Sequence, residues 1–277
     1  MIPRAIHYCW FGMNPKPQLV LDCIKSWEEK CPDYKIIEWN ESNYDFSQSP
    51  LYVKQAYEKK KWAFVTDYVR LQVIYDNGGI YLDTDIELVK NLDDLLSNSS
   101  YFGFQNKTEI ATGLGFGAEK GCRILWDMMQ DYNDIPFIRP DGSLDLLPCP
   151  RRNTAAFILR GLIPDGTEQE LEGGIHIYPK SYFCPMDYKT GRVELTENTY
   201  SIHLFFASWH GKGDMLLDKK KKKYIQKYGE EEGQSRLKNW EKRNKVFLVF
   251  MNNGIAGTFG KIKSLITTRK SQDAEKR

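Results

Sequence analysis

The 277-residue chain has no apolar run of the ~18 or more residues that a membrane-spanning helix requires. Its first residues lack both the basic segment and the apolar segment of a secretion signal. Its six cysteines include no Cys-x-x-Cys pair, the spacing typical of zinc and redox sites. We therefore expect reduced cysteines and a cytoplasmic protein that does not cross a membrane but can attach peripherally to its cytoplasmic face.

Basic side chains are in deficit over most of the chain. The net charge is +2, but residues 1–210 carry 21 basic and 29 acidic side chains, whereas residues 211–277 carry 18 basic and 8 acidic ones. A nucleic-acid-binding domain needs a basic face on its folded body, so nucleic acid is excluded as the main partner. The change in composition predicts a folded body over residues 1–210 and a basic helical extension over residues 211–277.

The hydrophobic pattern predicts an α/β fold. An apolar segment over residues 5–11, a helical period over residues 18–30 and a second apolar segment over residues 34–39 form the strand-helix-strand unit that builds parallel sheets. Further helices are predicted over residues 51–61, 62–76, 122–132 and 153–162, and further strands over residues 80–89, 101–105, 175–178 and 201–206. This order is typical of nucleotide-binding α/β proteins.

Two aspartates interrupt the strand predicted over residues 80–89. Asp83 and Asp85 point to the same side if that strand is continuous, because side chains alternate along a strand. Their carboxylates would repel each other unless a divalent cation lies beside them, and Mn²⁺ or Mg²⁺ prefers oxygen ligands and bridges to diphosphates. The pattern predicts a metal-diphosphate site. An isolated Asp-x-Asp on an edge strand is otherwise a solvated pair, and the flanking apolar residues favour a central strand.

The helix predicted over residues 62–76 is apolar on nearly every face, yet Asp67 and Arg70 share one stripe of it. They form either a structural ion pair in the core or a donor-binding pair, in which Asp67 holds Arg70 toward a sugar or phosphate oxygen. Both interpretations stay open, and the direct continuation of this helix into the Asp-x-Asp segment favours the second.

Histidine is also scarce, with four in the chain. His203 and His210 flank an aromatic segment, and His203 is a candidate third metal ligand beside Asp83 and Asp85 or, alternatively, a hydrogen-bonded core residue. His7 and His176 are assigned to structure.

Trp10 ends the first predicted strand, where a nucleotide base lies in many parallel-sheet folds, so it is a candidate for base stacking or a core residue. The tryptophans assigned to packing are Trp27, Trp39, Trp62, Trp126 and Trp240.

Two other functional classes are compatible with an Asp-x-Asp segment. Phosphatases of the haloacid-dehalogenase type use the first aspartate, here Asp83, as a nucleophile. Their pattern lies near the N-terminus and has Thr or Val two residues after the second aspartate, whereas this chain has Glu87 there and reaches the motif after two helix-strand units. A sugar-binding protein without catalysis is the other alternative.

Three segments together resemble the family 32 glycosyltransferases, which include bacterial capsular polysaccharide and lipopolysaccharide enzymes and yeast initiating mannosyltransferases. These segments are residues 2–12 (IPRAIHYCWFG), 63–71 (AFVTDYVRL) and 78–85 (GGIYLDTD). The resemblance covers about residues 1–210. It implies a GT-A fold in a catalytic domain over residues 1–210, a divalent cation, a nucleotide-sugar donor and transfer with retention of the anomeric configuration.

The resemblance also implies roles for single residues. Trp10 is similar to the base-stacking tryptophan, and Asp67 and Arg70 are similar to the pair that binds the donor sugar. Asp83 corresponds to the carboxylate on ribose or sugar and Asp85 to the direct metal ligand. The segment with His203, Ser208 and Trp209 resembles the C-terminal metal and diphosphate segment. This chain departs from the family where Cys149 and Pro150 precede Thr154 in place of a Gly-Pro pair.

The implied partners are a nucleotide sugar, with a UDP-sugar favoured, and a cell-surface polysaccharide or lipid-linked glycan acceptor. The five-lysine run Lys219 to Lys223 and a periodic basic tail over residues 255–270 add an anionic membrane surface as a possible partner of the extension. Packing of the extension on the catalytic domain is the alternative.

Overall fold

A computed structural model describes residues 1–206, 212–245, 247, 248 and 251, and of residues 212–215 and 218 it describes the backbone alone. The chain divides into two compact units. Unit 1 comprises Met1–Met186 and Val193–Phe205, and unit 2 comprises Asp187–Arg192 together with the chain from Phe206 onward. The boundary that the composition predicts near residue 211 falls in the segment 207–211, outside the described residues.

Unit 1 contains a seven-stranded mixed sheet and a separate two-stranded sheet. The strands are β1 (Ala5–Cys9), β2 (Lys35–Trp39), β3 (Gly79–Tyr81), β4 (Ile86–Leu88), β5 (Ser100–Gly103), β6 (Phe116–Ala118), β7 (Gln169–Leu171), β8 (Ile175–Tyr178) and β9 (Ser201–His203). The order in the larger sheet is β2-β1-β3-β6-β5-β8-β7. β1 pairs in parallel with β2 and β3, β6 runs antiparallel to β3 and β5, β5 is parallel to β8, and β7 is antiparallel to β8. The two-stranded sheet consists of β4 and β9.

Helices and two apolar clusters cover both faces of the sheet. The helices of unit 1 are α1 (Gln18–Lys30), α2 (Leu51–Glu58), α3 (Trp62–Asn77), α4 (Arg123–Gln130), α5 (Cys149–Ile158) and α6 (Lys180–Phe183). One cluster joins buried residues of α2, α3, α4 and α5 to Tyr81, Phe102 and Phe116 of the sheet. The other joins α1 and β4 to Ile6, Ile80 and Tyr101. The α/β fold that the GT-A resemblance implies is thereby confirmed.

The segment over residues 80–89 corrects the sequence interpretation, because it is not one strand. β3 ends at Tyr81, the amide of Ile86 donates to the carbonyl of Asp83 at 3.1 Å, and β4 then starts in the second sheet. Asp83 and Asp85 therefore lie in a turn between two sheets, and strand alternation does not set their directions. The turn is not apparent from the sequence because apolar residues lie on both sides of it, a pattern that predicts one continuous buried strand.

Helix α1 fixes the end of the turn and the start of β4 through two hydrogen bonds. The indole Nε1 of the fully buried Trp27 donates to the carbonyl of Ile86 at 2.7 Å, and the hydroxyl of Ser26 accepts the amide of Leu88 at 2.9 Å. On the other side of β4, β9 pairs His203 with Ile86. These contacts place the second aspartate and the histidine on neighbouring strand ends.

Helix α5 starts at Cys149, earlier than the predicted Asn153, because Pro150 sits in its first turn, where its missing amide hydrogen costs nothing. α3 ends as predicted. The amide of Gly78, at φ 69°, donates to the carbonyl of Ile74, and a glycine adopts this left-handed conformation without strain.

The described residues of unit 2 include two helices, α7 (Lys212–Tyr228) and a helix over residues 230–245. They are antiparallel, since Gly233 packs on the backbone of Ile225 while Lys220 lies 5.0 Å from the ring of Trp240. The helical character predicted for the extension is present in these residues. Among the described residues, no helix has the length and apolar character needed to span a bilayer.

Candidate active site

The carboxyl ends of β1 and β3 meet at one edge of the central sheet. β1 leads into Trp10 and β3 leads into the turn with Asp83, and the parallel pairing continues as the amide of Leu82 donates to the carbonyl of His7 at 3.0 Å. In open α/β sheets, ligands bind in the crevice beyond the carboxyl ends of the strands. The two segments that resemble the family motifs therefore lie side by side.

Arg70 connects the buried helix α3 to this edge. Its Nη2 lies 3.3 Å from Oδ1 of Asp67 and 3.2 Å from Oδ1 of Asp83, and the guanidinium carbon lies 5.2 Å from the ring centre of Tyr81. Nε and Nη2 also donate to the carbonyl and the hydroxyl of Thr66. Arg70 is 4% exposed and Asp67 is 8% exposed. One desolvated cation thus holds two carboxylates from different elements.

Burial sets the titration of these groups. It raises the pKa of Asp67 to about 6, although Arg70 acts in the opposite direction. Burial also raises the pKa of Asp83, again against the attraction of Arg70. Asp83 and Asp67 raise the pKa of Arg70 well above its ordinary value despite its own desolvation, so Arg70 remains a cation.

The second aspartate pairs with the histidine. Nε2 of His203 lies 3.4 Å from Oδ1 of Asp85, and the amide of Leu204 donates to the carbonyl of Asp85 at 2.9 Å. Burial alone would lower the pKa of His203, but the charge of Asp85 outweighs it and raises the pKa to about 10. Nδ1 of this imidazole is buried without a hydrogen-bond partner among the described residues.

A ring of small and sulfur-containing residues closes around Arg70. Nη1 of Arg70 lies 3.5 Å from the hydroxyl of Thr112 and 3.8 Å from the thiol of Cys149. A methyl group on Gly113 would lie 2.6 Å from Oδ2 of Asp83 and 3.2 Å from Nη1 of Arg70. Gly113 therefore leaves the space in which the carboxylate of Asp83 sits.

The structure brings together most of the residues that the sequence singles out. Arg70 joins Asp67 and Asp83, and Asp85 meets His203. Asp67 and Arg70 form the buried ion pair of the first interpretation, and Arg70 also contacts Asp83 of the Asp-x-Asp segment. Binding of the donor by this pair stays a prediction. In the part of the chain that the structure describes, no three His, Cys, Asp or Glu side chains are grouped as a metal site.

Other predicted site residues lie at the margin or outside the description. Trp10 is half-buried, and its Nε1 donates to the carbonyl of Asn14 at 2.7 Å, so the indole plane is fixed beside the sheet edge. Ser208 and Trp209 fall in the segment 207–211, which lies outside the described residues, and their roles remain predictions.

Sequence reasoning missed four contributors to the site. Tyr81 donates its hydroxyl to Oδ1 of Asp83 at 2.9 Å, and Thr66, Thr112 and Gly113 surround Arg70. Tyr81 and Thr66 lie inside the segments that resemble the family motifs, and this position in the sequence could have identified them. Thr112 and Gly113 come from a separate turn far along the chain, and only the glycine-rich composition there hints at close packing.

Residues 17–102 match the family model described as the glycosyltransferase sugar-binding region containing the DXD motif. This match includes α1, α3 and the turn with both aspartates. Over these residues, about a third of the chain, the sequence is similar to the sugar-binding region of the DXD glycosyltransferases. The similarity agrees with the resemblance to the family 32-type glycosyltransferases.

Curated glycosyltransferases are similar to parts of the chain. The chain is 34% identical over 140 residues to inositol phosphoceramide mannosyltransferase 3 of Schizosaccharomyces pombe, a match that covers 49% of this chain and 38% of the relative. It is 31% identical over 122 residues to the initiation-specific alpha-1,6-mannosyltransferase of Candida albicans, covering 40% and 32% of the two chains. The match thus spans only about a third of these relatives.

More distant similarities run over more of the chain. An uncharacterized glycosyltransferase, L373, of Acanthamoeba polyphaga mimivirus is 24% identical over 220 residues, covering 76% of this chain and 84% of the viral protein. Among solved structures, the PaToxG glycosyltransferase aligns with 18% identity and a TM-score of 0.44 over 57% of this chain and 69% of the other.

The bridging role of Arg70 leads to a stability prediction. Arg70→Met leaves Asp67 and Asp83 buried without their shared cation, and such a loss costs about 3–5 kcal/mol of unfolding free energy. Arg70 lowers the pKa of Asp67, so its loss raises that pKa further above the wild-type value of about 6. The folded variant therefore takes up a proton at a higher pH than the folded wild type does, and the deficit should be largest at pH 8 and shrink as the pH falls toward 6.

Urea unfolding of both proteins at pH 8 and pH 5 measures this effect. The control is Arg4→Met, since the ion pair of Arg4 with Asp93 is exposed to solvent and should contribute little to stability. A deficit for Arg70→Met that matched the control, or that grew at acid pH, would contradict the bridging role.

Proposed function

We propose that the chain is a metal-dependent, retaining glycosyltransferase that moves a hexosyl group from a nucleotide sugar to a polysaccharide or lipid-linked glycan. A UDP-sugar is the favoured donor. The observation that carries the proposal is the contact of Arg70 with both Asp67 and Asp83 directly beside the Asp85 and His203 pair. Because two relatives are named mannosyltransferases, GDP-mannose is the alternative donor to be tested.

The residues at the turn fit a divalent cation. Two ligand atoms on adjacent coordination positions, each ~2.1 Å from a metal ion, are roughly 3 Å apart, and Asp85 Oδ1 and His203 Nε2 are 3.4 Å apart. Asp85 and His203 would hold the ion, with Asp83 on its donor side. When bound, the ion would supply positive charge that stabilises a diphosphate leaving group. Because His203 ligates only as a neutral imidazole, metal binding competes with its proton.

The other residues of the site position the donor. Arg70 fixes the carboxylate of Asp83, which can then accept hydrogen bonds from sugar hydroxyls in one orientation. Trp10 offers an indole beside the carboxyl end of β1 on which a base can stack. Asp67 and Asp83 are both engaged by Arg70, which supports a front-face displacement that needs neither as a nucleophile.

Nucleoside diphosphate release tests this proposal. Purified protein with Mn²⁺ should release UDP or GDP from one member of a nucleotide-sugar panel when an acceptor glycan is present. Asp85→Asn should lower this rate by at least about 100-fold because it removes a charged ligand. EDTA should abolish release by the wild type, and added Mn²⁺ should restore it. The matched control, Asp33→Asn, changes an exposed aspartate on the loop after α1 and should keep the wild-type rate.

Three results would contradict it. Near-normal turnover of Asp85→Asn would remove the metal role, and rapid release of inorganic phosphate from a simple phosphate monoester, lost in Asp83→Ala, would indicate a phosphatase. Binding of a sugar with no release from any donor would indicate a sugar-binding protein.

We also propose that unit 2 attaches the enzyme to an anionic membrane surface on the cytoplasmic side. The support is the lysine run of α7, in which Lys219 and Lys223 are exposed and Lys220, Lys221 and Lys222 lie over aromatic rings. Each basic residue near an anionic surface adds ~1 kcal/mol of attraction. The tail over residues 255–270 lies outside the described residues, and its contribution stays a prediction.

Vesicle sedimentation checks the membrane proposal. The full chain should pellet with anionic vesicles, remain in solution with neutral ones and dissociate at high salt. Replacing all five lysines from Lys219 through Lys223 by glutamine should weaken the binding at least tenfold, since it removes up to five favourable charges. As a control, replacing the three glutamates from Glu230 through Glu232 in the neighbouring helix by glutamine removes negative charges and should not weaken vesicle binding. Equal pelleting of the lysine variant and the wild type would refute the proposal.

A further inference from the structure

A second concave site lies on the α3 face of the sheet, away from the aspartate turn. It is a cavity of about 250 Å³ between the end of β2, the loop after it and the C-terminal half of α3. It shares no residue with the candidate active site. Its lining residues are Trp39, Asn43, Tyr44, Asp45, Gln48, Gln72, Val73, Asp76 and Asn77.

The helix geometry separates the two sites. Gln72 follows Arg70 by two residues, which corresponds to about 200° around α3, so the two side chains leave opposite faces of the same helix. Asp76 and Asn77 are exposed at the end of α3, whereas Arg70 is buried in its middle. A ligand in this cavity would therefore not occupy the position of the donor.

The aromatic wall of the cavity is held rigidly. Trp39 is half-buried, its Nε1 donates to Nδ1 of His7 at 3.0 Å, and the two rings stack 6.1 Å apart. His7 is 1% exposed, and burial lowers its pKa to about 4, so it stays a neutral acceptor for the indole. The remaining open part of the indole presents a fixed apolar surface of the kind on which the C–H face of a sugar ring packs.

The polar wall has a defined direction of hydrogen bonding. Oε1 of Gln72 accepts the hydroxyl of Tyr44 at 2.6 Å, which leaves the Nε2 amide of Gln72 as a donor. Nδ2 of Asn77 donates to the carbonyl of Val73 at 2.8 Å, which leaves its Oδ1 as an acceptor. Asp76 adds a carboxylate beside them. Donors and acceptors placed side by side match vicinal hydroxyl groups, each of which both donates and accepts.

The charge of the lining selects among ligands. Asp45 and Asp76 are both acidic, and among the described residues that line the cavity none is Lys or Arg. A phosphate or nucleotide would meet the repulsion of both carboxylates, and the cations nearest to them, Lys54 beside Asp45 and Lys120 beside Asp76, do not line the cavity. The volume is below the ~300–1,000 Å³ of sites for drug-sized ligands, so the occupant is small, such as one ring of a longer chain.

We propose that this cavity, between Trp39 and Gln72, binds one neutral sugar ring of a glycan, as an accessory glycan-binding site separate from the donor site. The Trp39 indole packs on the ring, while Gln72 and Asn77 contact its hydroxyl groups. The sequence assigns Trp39 to packing, and the structure shows that only part of its surface is used in that way.

Indole resonances of the ¹⁵N-labelled full chain test the site directly. The Trp39 signal is assigned from the spectrum of Trp39→Phe, and the chain is titrated with α-linked mannobiose, with maltose and with glucose 6-phosphate. We expect at least one neutral disaccharide to shift the Trp39 signal in a saturable way and the phosphate sugar to bind at least tenfold more weakly. No nucleotide sugar is present, so the outcome does not depend on transfer activity.

Two variants and a control localise the binding. Gln72→Leu removes the amide donor, and Asp76→Ala removes an exposed carboxylate without touching the core, so each should weaken binding about tenfold. Asp33→Ala, an exposed aspartate elsewhere, should bind as the wild type does. The proposal is overturned by an unshifted Trp39 signal at the solubility limit of both disaccharides. Undiminished binding by Asp76→Ala or preferential binding of the phosphate sugar would also overturn it.

Discussion

The site depends on one buried cation shared by two carboxylates. Arg70 projects from α3 and contacts Asp67 of the same helix and Asp83 of the turn after β3. Burying charged groups costs several kcal/mol for each ion, so the arrangement persists only because each charge has a partner and further hydrogen bonds. Thr66 and Tyr81 supply those bonds. The same contacts that stabilise the core therefore fix the first aspartate of the motif.

The second aspartate depends on a different constraint, the change of sheet within the motif. The chain leaves the central sheet at Tyr81 and joins β9 at Ile86, and the turn between them carries both aspartates. Trp27 holds the far end of this turn through the carbonyl of Ile86. Asp83 is consequently tied to α3, while Asp85 is tied to His203. The two aspartates of the motif are thus supported by two independent elements.

Much of this arrangement is predictable from local sequence. The bounds of α1 and β8 agree with their patterns, and α3 is recognisable from its apolar residues and its Asn-Gly-Gly end. The split of residues 80–89 into two strands is not, because the direction of the chain after Asp83 is decided by pairing with β9, more than a hundred residues later. Likewise, Thr112 and Gly113 contact the site of Arg70 through tertiary packing, and such contacts produce no periodic pattern in the local sequence. The sequence analysis brings Asp85 and His203 together as ligands of one metal ion, and the structure shows them as an ion pair, so the shared ligand set stays a prediction.

We propose that the Arg70-bound carboxylate of Asp83 binds the donor, and Gly113→Ala tests this role without removing any charge. The added methyl group would lie 2.6 Å from Oδ2 of Asp83 and must displace it. A misplacement of about 1 Å costs roughly 10²-fold in rate, so kcat/KM for nucleoside diphosphate release should fall by about that factor while the variant remains folded by circular dichroism. A folded Gly113→Ala enzyme with the wild-type kcat/KM would contradict the account.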